Sequence, residues 1–190
     1  MKEEDESKEQ LTKELRELRK RINQLKELVV DELTGLYSRR HFLDLAEHEF
    51  ARARRFERPL SAIMLDIDNL KQVNDTYNPT IGDQVLDEVA KRCRATVRYV
   101  DIVGRYGGGK FVLLLPEAKL KVAKEIAKRL RKFMSKTPVT TKKGPVNLTI
   151  SLGVTNITPD TTNLSAFLRQ TDKAMQRAKK KGRNRIEVER

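Results

Sequence analysis

Apolar residues at Leu11, Leu15, Leu18, Ile22, Leu25 and Val29 recur at alternating spacings of four and three, with Glu, Lys and Arg filling most of the gaps. This is the seam of a helix built to pack on another helix, and it predicts a coiled-coil stalk over residues 1–30. The period changes after Asp31-Glu-Leu-Thr-Gly-Leu-Tyr, where Ser38 predicts the cap of a helix running to about Phe56. Ser61–Asp68 (SAIMLDID) is an apolar run short enough for a buried strand, and it ends in two carboxylates. A short helix over Asn69–Asp75 and a longer amphipathic one over Gly82–Val97 follow. Asp101–Tyr106 and Lys110–Leu115 flank Gly107-Gly108-Gly109, which predicts a hairpin with an all-glycine turn. A basic amphipathic helix over 118–136, a strand near Val139, a turn at Lys143-Gly144-Pro145 and a strand over Val146–Thr155 come next. A helix from Leu164 to Lys181 and a strand over Arg185–Val188 close the chain. Helices and strands alternate, with hairpins between some strands, so residues 31–190 read as one α/β domain with a mixed sheet.

Charge changes this picture only locally. The 190 residues hold 40 Lys and Arg against 27 Asp and Glu, a net +13. Residues 119–143 carry net +9 and residues 170–190 net +5, while 1–31 carry net −1 and the remainder is neutral. The excess therefore lies on two helix-bearing segments that can face anions. With 5% aromatic residues, no tryptophan and no recognition motif, nucleic acid is not expected as a partner. At 38% apolar the chain can bury a core, but no run approaches the ~20 apolar residues of a membrane span, and no signal peptide is expected. Cys93 is the single cysteine, which excludes a disulfide framework and a cysteine zinc site and fits the cytoplasm. His41 and His48 lie seven apart with no third ligand in view.

Chemistry is concentrated around the strand that ends in Asp66 and Asp68. A carboxylate at a strand end is a common way to fix Mg²⁺, although taken alone the pair is more often one helix cap and one solvated acid. Asn74 and Asp83, downstream, can jointly read a guanine edge. The glycine hairpin lets its backbone approach a phosphate chain, and Lys179 and Arg183, four apart at the end of the last helix, add positive charge.

In order, DELTGLYSRRHF, LDIDNLKQVNDTY, GDQVLDEVAKR, VRYVDIVGRYGGGKFVLLLPE, TISLGVT and DKAMQRAKKKGRNR resemble the consecutive signatures of the GGDEF family, the diguanylate cyclases, over about residues 31–188. The resemblance implies a five-stranded mixed sheet surrounded by helices, similar to the palm of nucleotidyl cyclases, preceded by a helical stalk that joins two subunits. It implies the family reaction as well, in which two GTP condense with Mg²⁺ to cyclic di-GMP. Catalysing members read Gly-Gly-Asp/Glu-Glu-Phe at the hairpin; this chain reads Gly107-Gly108-Gly109-Lys110-Phe111. By resemblance, Gly109 and Lys110 stand where the required carboxylates belong, and Asp66 and Ile67 are left as a vestigial metal site. Like charge at ~4 Å costs about 4 kcal/mol at an effective dielectric of ~20, so Mg²⁺ is not expected to bind beside Lys110. Asn78-Pro79 and Gln176 also depart from the usual Gly-His and Tyr. Lys71, Asn74, Asp83, Gly107, Gly108, Lys179 and Arg183 still match GTP-binding positions.

Arg98-Tyr99-Val100-Asp101 is an R-x-x-D sequence separated from Gly107 by five residues. The resemblance places it at the family's inhibitory site, which binds cyclic di-GMP. Arg98 can present its fork to guanine or phosphate, Asp101 can accept from guanine N–H groups, and Arg129 falls where another arginine is often supplied. The reading is thus of a chain that is no enzyme but a cyclic di-GMP receptor, dimeric through its N-terminal helix, with GTP as a further ligand and an unknown protein as output partner. A cyclase with residual activity through Asp66 and Asp68, and a protein-interaction module using neither nucleotide site, are the alternatives.

Overall fold

The computed structural model describes residues 12, 14–17 and 29–189. Most of the heptad pattern lies outside the described residues; of its members Leu15 and Val29 are described, both helical and both exposed.

The domain starts with α1 (Arg39–Arg55), capped by Ser38, whose side chain accepts from the His41 backbone N–H at 3.3 Å. Phe42, Ala46, Phe50 and Ala53 form its buried stripe. Strand β1 (Leu60–Ile67) is buried along its whole length and is followed by α2 (Leu70–Tyr77) and α3 (Pro79–Thr96). Helix α3 begins three residues ahead of the expected Gly82, because Pro79 sits at the first helical position and the Asn78 side chain accepts from the Ile81 N–H at 3.1 Å. The hairpin is β2 (Ile102–Gly107) and β3 (Lys110–Pro116). Next come α4 (Leu120–Lys136), β4 (Val139–Thr141), β5 (Gly144–Val146), β6 (Ile150–Asn156), α5 (Leu164–Lys180) and β7 (Ile186–Val188). The turn expected at Lys143-Gly144-Pro145 and the single strand expected after it are corrected. Gly144 and Pro145 belong to β5, a small hairpin strand where a missing N–H costs little, and the chain breaks before β6.

The main sheet has the order β2-β3-β1-β6-β7, antiparallel except for the β6–β7 pair. This is the expected five-stranded mixed sheet surrounded by helices. Alternation along β1 divides the core in two. Ile63, Leu65 and Ile67 face α3 and α4, and Leu60, Ala62 and Met64 face α1 and α5. By the same parity Asp66 comes out on the α1/α5 side, paired across the ladder with Lys110. Among the described residues no helix is long and apolar enough to cross a membrane.

Cys93 is fully buried in α3, and burial pushes its thiol up to about 12. At pH 8 that leaves about one thiolate in ten thousand. Ellman's reagent should therefore leave the folded protein unlabelled at pH 8 and titrate one thiol after unfolding in guanidinium; rapid native labelling would place Cys93 outside the core. Above pH 9 the unfolded chain ionises this thiol and the folded chain does not, so its contribution to stability declines as pH rises through that window.

Candidate nucleotide-binding sites

Strand β1 delivers two carboxylates to the hairpin end of the sheet, and they do different things. Asp68 is buried and accepts from Thr149 Oγ1 at 2.7 Å, Ser151 Oγ at 2.7 Å and the Asn184 backbone N–H at 3.1 Å. It is the knot tying the end of β1 to the start of β6 and to the turn after α5, so its oxygens are already engaged within the fold. Asp66 faces the hairpin instead, and Lys179 Nζ donates to its Oδ2 at 2.9 Å. Lys110, opposite Asp66 in the ladder, reaches across to Asp172 on α5, with Nζ to Oδ1 3.2 Å.

The glycine turn completes this corner. Gly107 and Gly108 hold φ of 131° and 54°, and a Cβ at either would meet nothing within 4 Å, so their backbone is open to an approaching group. At Gly109 an ideal Cβ stands 3.5 Å from Asp66 Oδ1, so any side chain there would enter the corner. Arg105 braces the turn from outside: its guanidinium donates to the Gly108 carbonyl at 3.1 Å and 3.2 Å and to both oxygens of Asp31 at 3.1 Å. Divalent metal does not fit these donors. Asp66 is one carboxylate already neutralised by an ammonium, a second ammonium is opposite it, and no group of three acidic, His or Cys ligands exists among the described residues. Ile67 uses its N–H on the Gly109 carbonyl at 3.1 Å.

The expected guanine positions lie on α2 and α3, which pack together. Lys71 and Asp83 are exposed, whereas the Oδ1 of Asn74 is buried with no hydrogen-bond partner among the described residues. Gly82 makes room for it, since a Cβ there would come within 1.8 Å of that oxygen. Arg183 lies just beyond α5 in a left-handed turn with φ 60°.

The second site is the turn between α3 and β2. Asp101 is buried and points inward, with its Oδ2 accepting from the Arg98 backbone N–H at 2.7 Å and its Oδ1 from Arg98 Nη2 at 2.8 Å. Its expected role as an acceptor for guanine N–H groups is corrected: a carboxylate three residues on satisfies the first N–H of its own turn before any ligand arrives. Arg98 also donates from Nη2 to the Pro116 carbonyl at 2.9 Å, yet its side chain keeps 54% of its surface exposed. The bond to Asp101 raises its already high pKa. Arg94 stiffens the turn from below, donating to the Asp101 and Tyr99 carbonyls at 2.9 Å and 3.0 Å. Arg129 reaches the same place from α4, donating to the Thr96 carbonyl.

The family model described as "Diguanylate cyclase, GGDEF domain" matches residues 28–185. The chain belongs to the GGDEF family. Response regulator PleD of Caulobacter vibrioides is 38% identical over 172 residues, which is 89% of this chain and 38% of PleD. Diguanylate cyclase DgcP of Pseudomonas aeruginosa is 36% identical over 166 residues, 87% of this chain and 25% of DgcP. This GGDEF chain thus spans well under half the length of these curated relatives. Among solved structures, the GGDEF domain of DgcB from Caulobacter crescentus, in complex with c-di-GMP, superposes with a TM-score of 0.81 at 26% identity, covering 84% of this chain and 92% of that one. SiaD of Pseudomonas aeruginosa, in complex with its activator SiaC, gives 0.80 at 31% identity, covering 97% and 71%. The expectation that the chain is no enzyme is overturned by these matches, because the family and relatives such as DgcP and DosC are diguanylate cyclases.

Asp172, Arg105, Asp31, Thr149 and Ser151 were not singled out in the sequence. Asp172 had a signal, since it precedes Lys179 by seven residues and therefore shares its face of α5.

Proposed function

We propose that this GGDEF domain serves cyclic di-GMP signalling as a receptor, taking the dinucleotide at the α3–β2 turn through Arg98 and Arg129, with Asp101 as the positioning residue. The observation that carries this is Arg98 itself, an exposed guanidinium whose geometry is fixed from behind by a buried carboxylate and a strand-end carbonyl. A planar donor fork that is already oriented loses little freedom when it meets a phosphate or a guanine edge. The c-di-GMP complex of the DgcB GGDEF domain supports the ligand class. Residues 1–30 would be the stalk that aligns two copies, and residues 31–190 the nucleotide-binding domain.

Family membership favours a second reading, a cyclase that makes the same dinucleotide from GTP. One sample separates the two. Calorimetric titration with cyclic di-GMP should show binding that Arg98→Ala weakens at least about tenfold, the scale of one lost charge-assisted pair; no binding by the unmutated protein would end the receptor reading. Chromatography after incubation with GTP and Mg²⁺ or Mn²⁺ decides the cyclase reading by the presence or absence of product.

A further inference from the structure

Helix α4 is built against its own electrostatics. Over Leu120–Lys136 it holds seven Lys and Arg and a single acid, Glu125. Its first turn carries Lys121 and no carboxylate, which opposes the helix dipole, and Lys119 at the cap position makes no side-chain capping bond. Lys124, Lys128, Lys132 and Lys136 follow one another at four-residue spacing, where like charges repel. Glu125 pairs with Lys128 at 2.8 Å, while among the described residues Lys121, Lys132 and Lys136 form no ion pair. The helix gains no stability from this charge, which is left available to an anion from outside.

What faces outward is lysine. Lys121, Lys128, Lys132 and Lys136 are exposed and, at spacings of seven, four and four, share the face opposite the buried Ala123, Ala127 and Leu130. Arg129 and Arg131 flank this ridge and donate into the fold, to the Thr96 carbonyl and, at 3.2 Å, to the Asn184 carbonyl. The second contact brings the turn with the exposed Arg183 and Arg185 alongside α4, so the surface draws on both basic segments of the sequence. Val122 and Phe133, 48% and 38% exposed, give it an apolar flank.

We propose that this face is a docking surface for an anionic lipid bilayer, with α4 lying along the headgroups and not crossing them. A helix of 17 residues makes a ridge about 25 Å long, convex and without a groove for a peptide. Ammonium groups on flexible stems meet mobile phosphate headgroups without needing a fixed partner geometry, and each is worth about fivefold in affinity at such a surface. The apolar flank suits the boundary between headgroups and acyl chains. A nucleic acid finds less here, because Phe133 is the one aromatic residue of α4 and its ring already lies 4.9 Å from the Arg92 guanidinium. The surface uses neither Asp66 nor the Arg98 fork, so its failure and that of the receptor reading are separate results.

The test is co-sedimentation of the full chain with phosphatidylcholine vesicles, alone and with about 30 mol% phosphatidylglycerol. At about 0.1 M salt the chain should pellet with the anionic vesicles and stay in solution with phosphatidylcholine alone, and about 0.5 M salt should release it. Lys128→Gln with Lys132→Gln should weaken binding at least about tenfold. The same pair should melt at or above the parent's midpoint, since it removes like-charge neighbours from the helix. Arg40→Gln with Arg55→Gln removes as much charge from α1, on the other side of the sheet, and should bind as the parent does. No pelleting with anionic vesicles, equal pelleting with neutral ones, or equal losses in the two double variants would each overturn the proposal. So would duplex DNA that binds more tightly than vesicles at the same phosphate concentration.

Discussion

Alanine at Gly153 is expected to cost about 3 kcal/mol or more, a large part of the stability of a domain this size. Gly153 lies in β6 where α5 crosses the sheet. A Cβ there would stand 2.2 Å from the Thr171 carbonyl oxygen and 2.3 Å from the Met175 backbone nitrogen. Both obstacles are main-chain atoms in mid-helix, so no side chain can rotate aside and α5 must lift. Leu164, Phe167, Leu168 and Met175 would lose packing with it. Lys179, on the same helix, would be drawn off Asp66. Urea denaturation followed by circular dichroism measures the loss, and a midpoint equal to the parent's would show that α5 does not cross so closely.

The second large effect is expected at Asp68. Asp68→Ala leaves the Thr149 and Ser151 hydroxyls and the Asn184 N–H without their acceptor, one donor from β6, one from the residue just before it and one from the turn that carries Arg183. An unmet buried donor costs about 1–3 kcal/mol and hydroxyls can turn to other partners, so a loss of about 3 kcal/mol is expected overall. Asp68→Asn, which keeps the volume and an acceptor oxygen, should recover about half of it. Asp66→Ala provides the contrast. It removes one charge-assisted hydrogen bond, to an ammonium that keeps 28% of its surface exposed and can be rehydrated, and should cost about 1–2 kcal/mol. Thermal melts of the three variants would decide the matter; equal losses at 66 and 68 would refute this division of labour.

That division marks the limit of what could be read from the chain. SAIMLDID announced a buried strand ending in two carboxylates. What Asp68 does depends on Thr149 and Ser151, 81 and 83 residues away, and local pattern carries no such information. The α3–β2 turn was legible in the same partial way: the family resemblance drew attention to Arg98 and Asp101, but which of the two faces solvent is set by the turn's own N–H and by the Pro116 carbonyl. Pro79 and Pro145 show one residue type giving opposite signals. Each lacks an N–H, one at a helix start and the other on a small hairpin strand, and only the tertiary neighbours distinguish them. Lys110 was visible in the chain as a cation beside the glycines, while its partner Asp172 became visible only once α5 lay on the sheet.

The rim of the sheet has a bearing on how copies of this domain meet. On its β2 side, Tyr37 donates its N–H to the Val103 carbonyl and accepts from the Arg105 N–H, which occupies the middle of that edge. On the other side β7 is three residues long. Among the described residues neither rim presents a long row of vacant peptide groups to an incoming chain, so β-strand addition finds little template there.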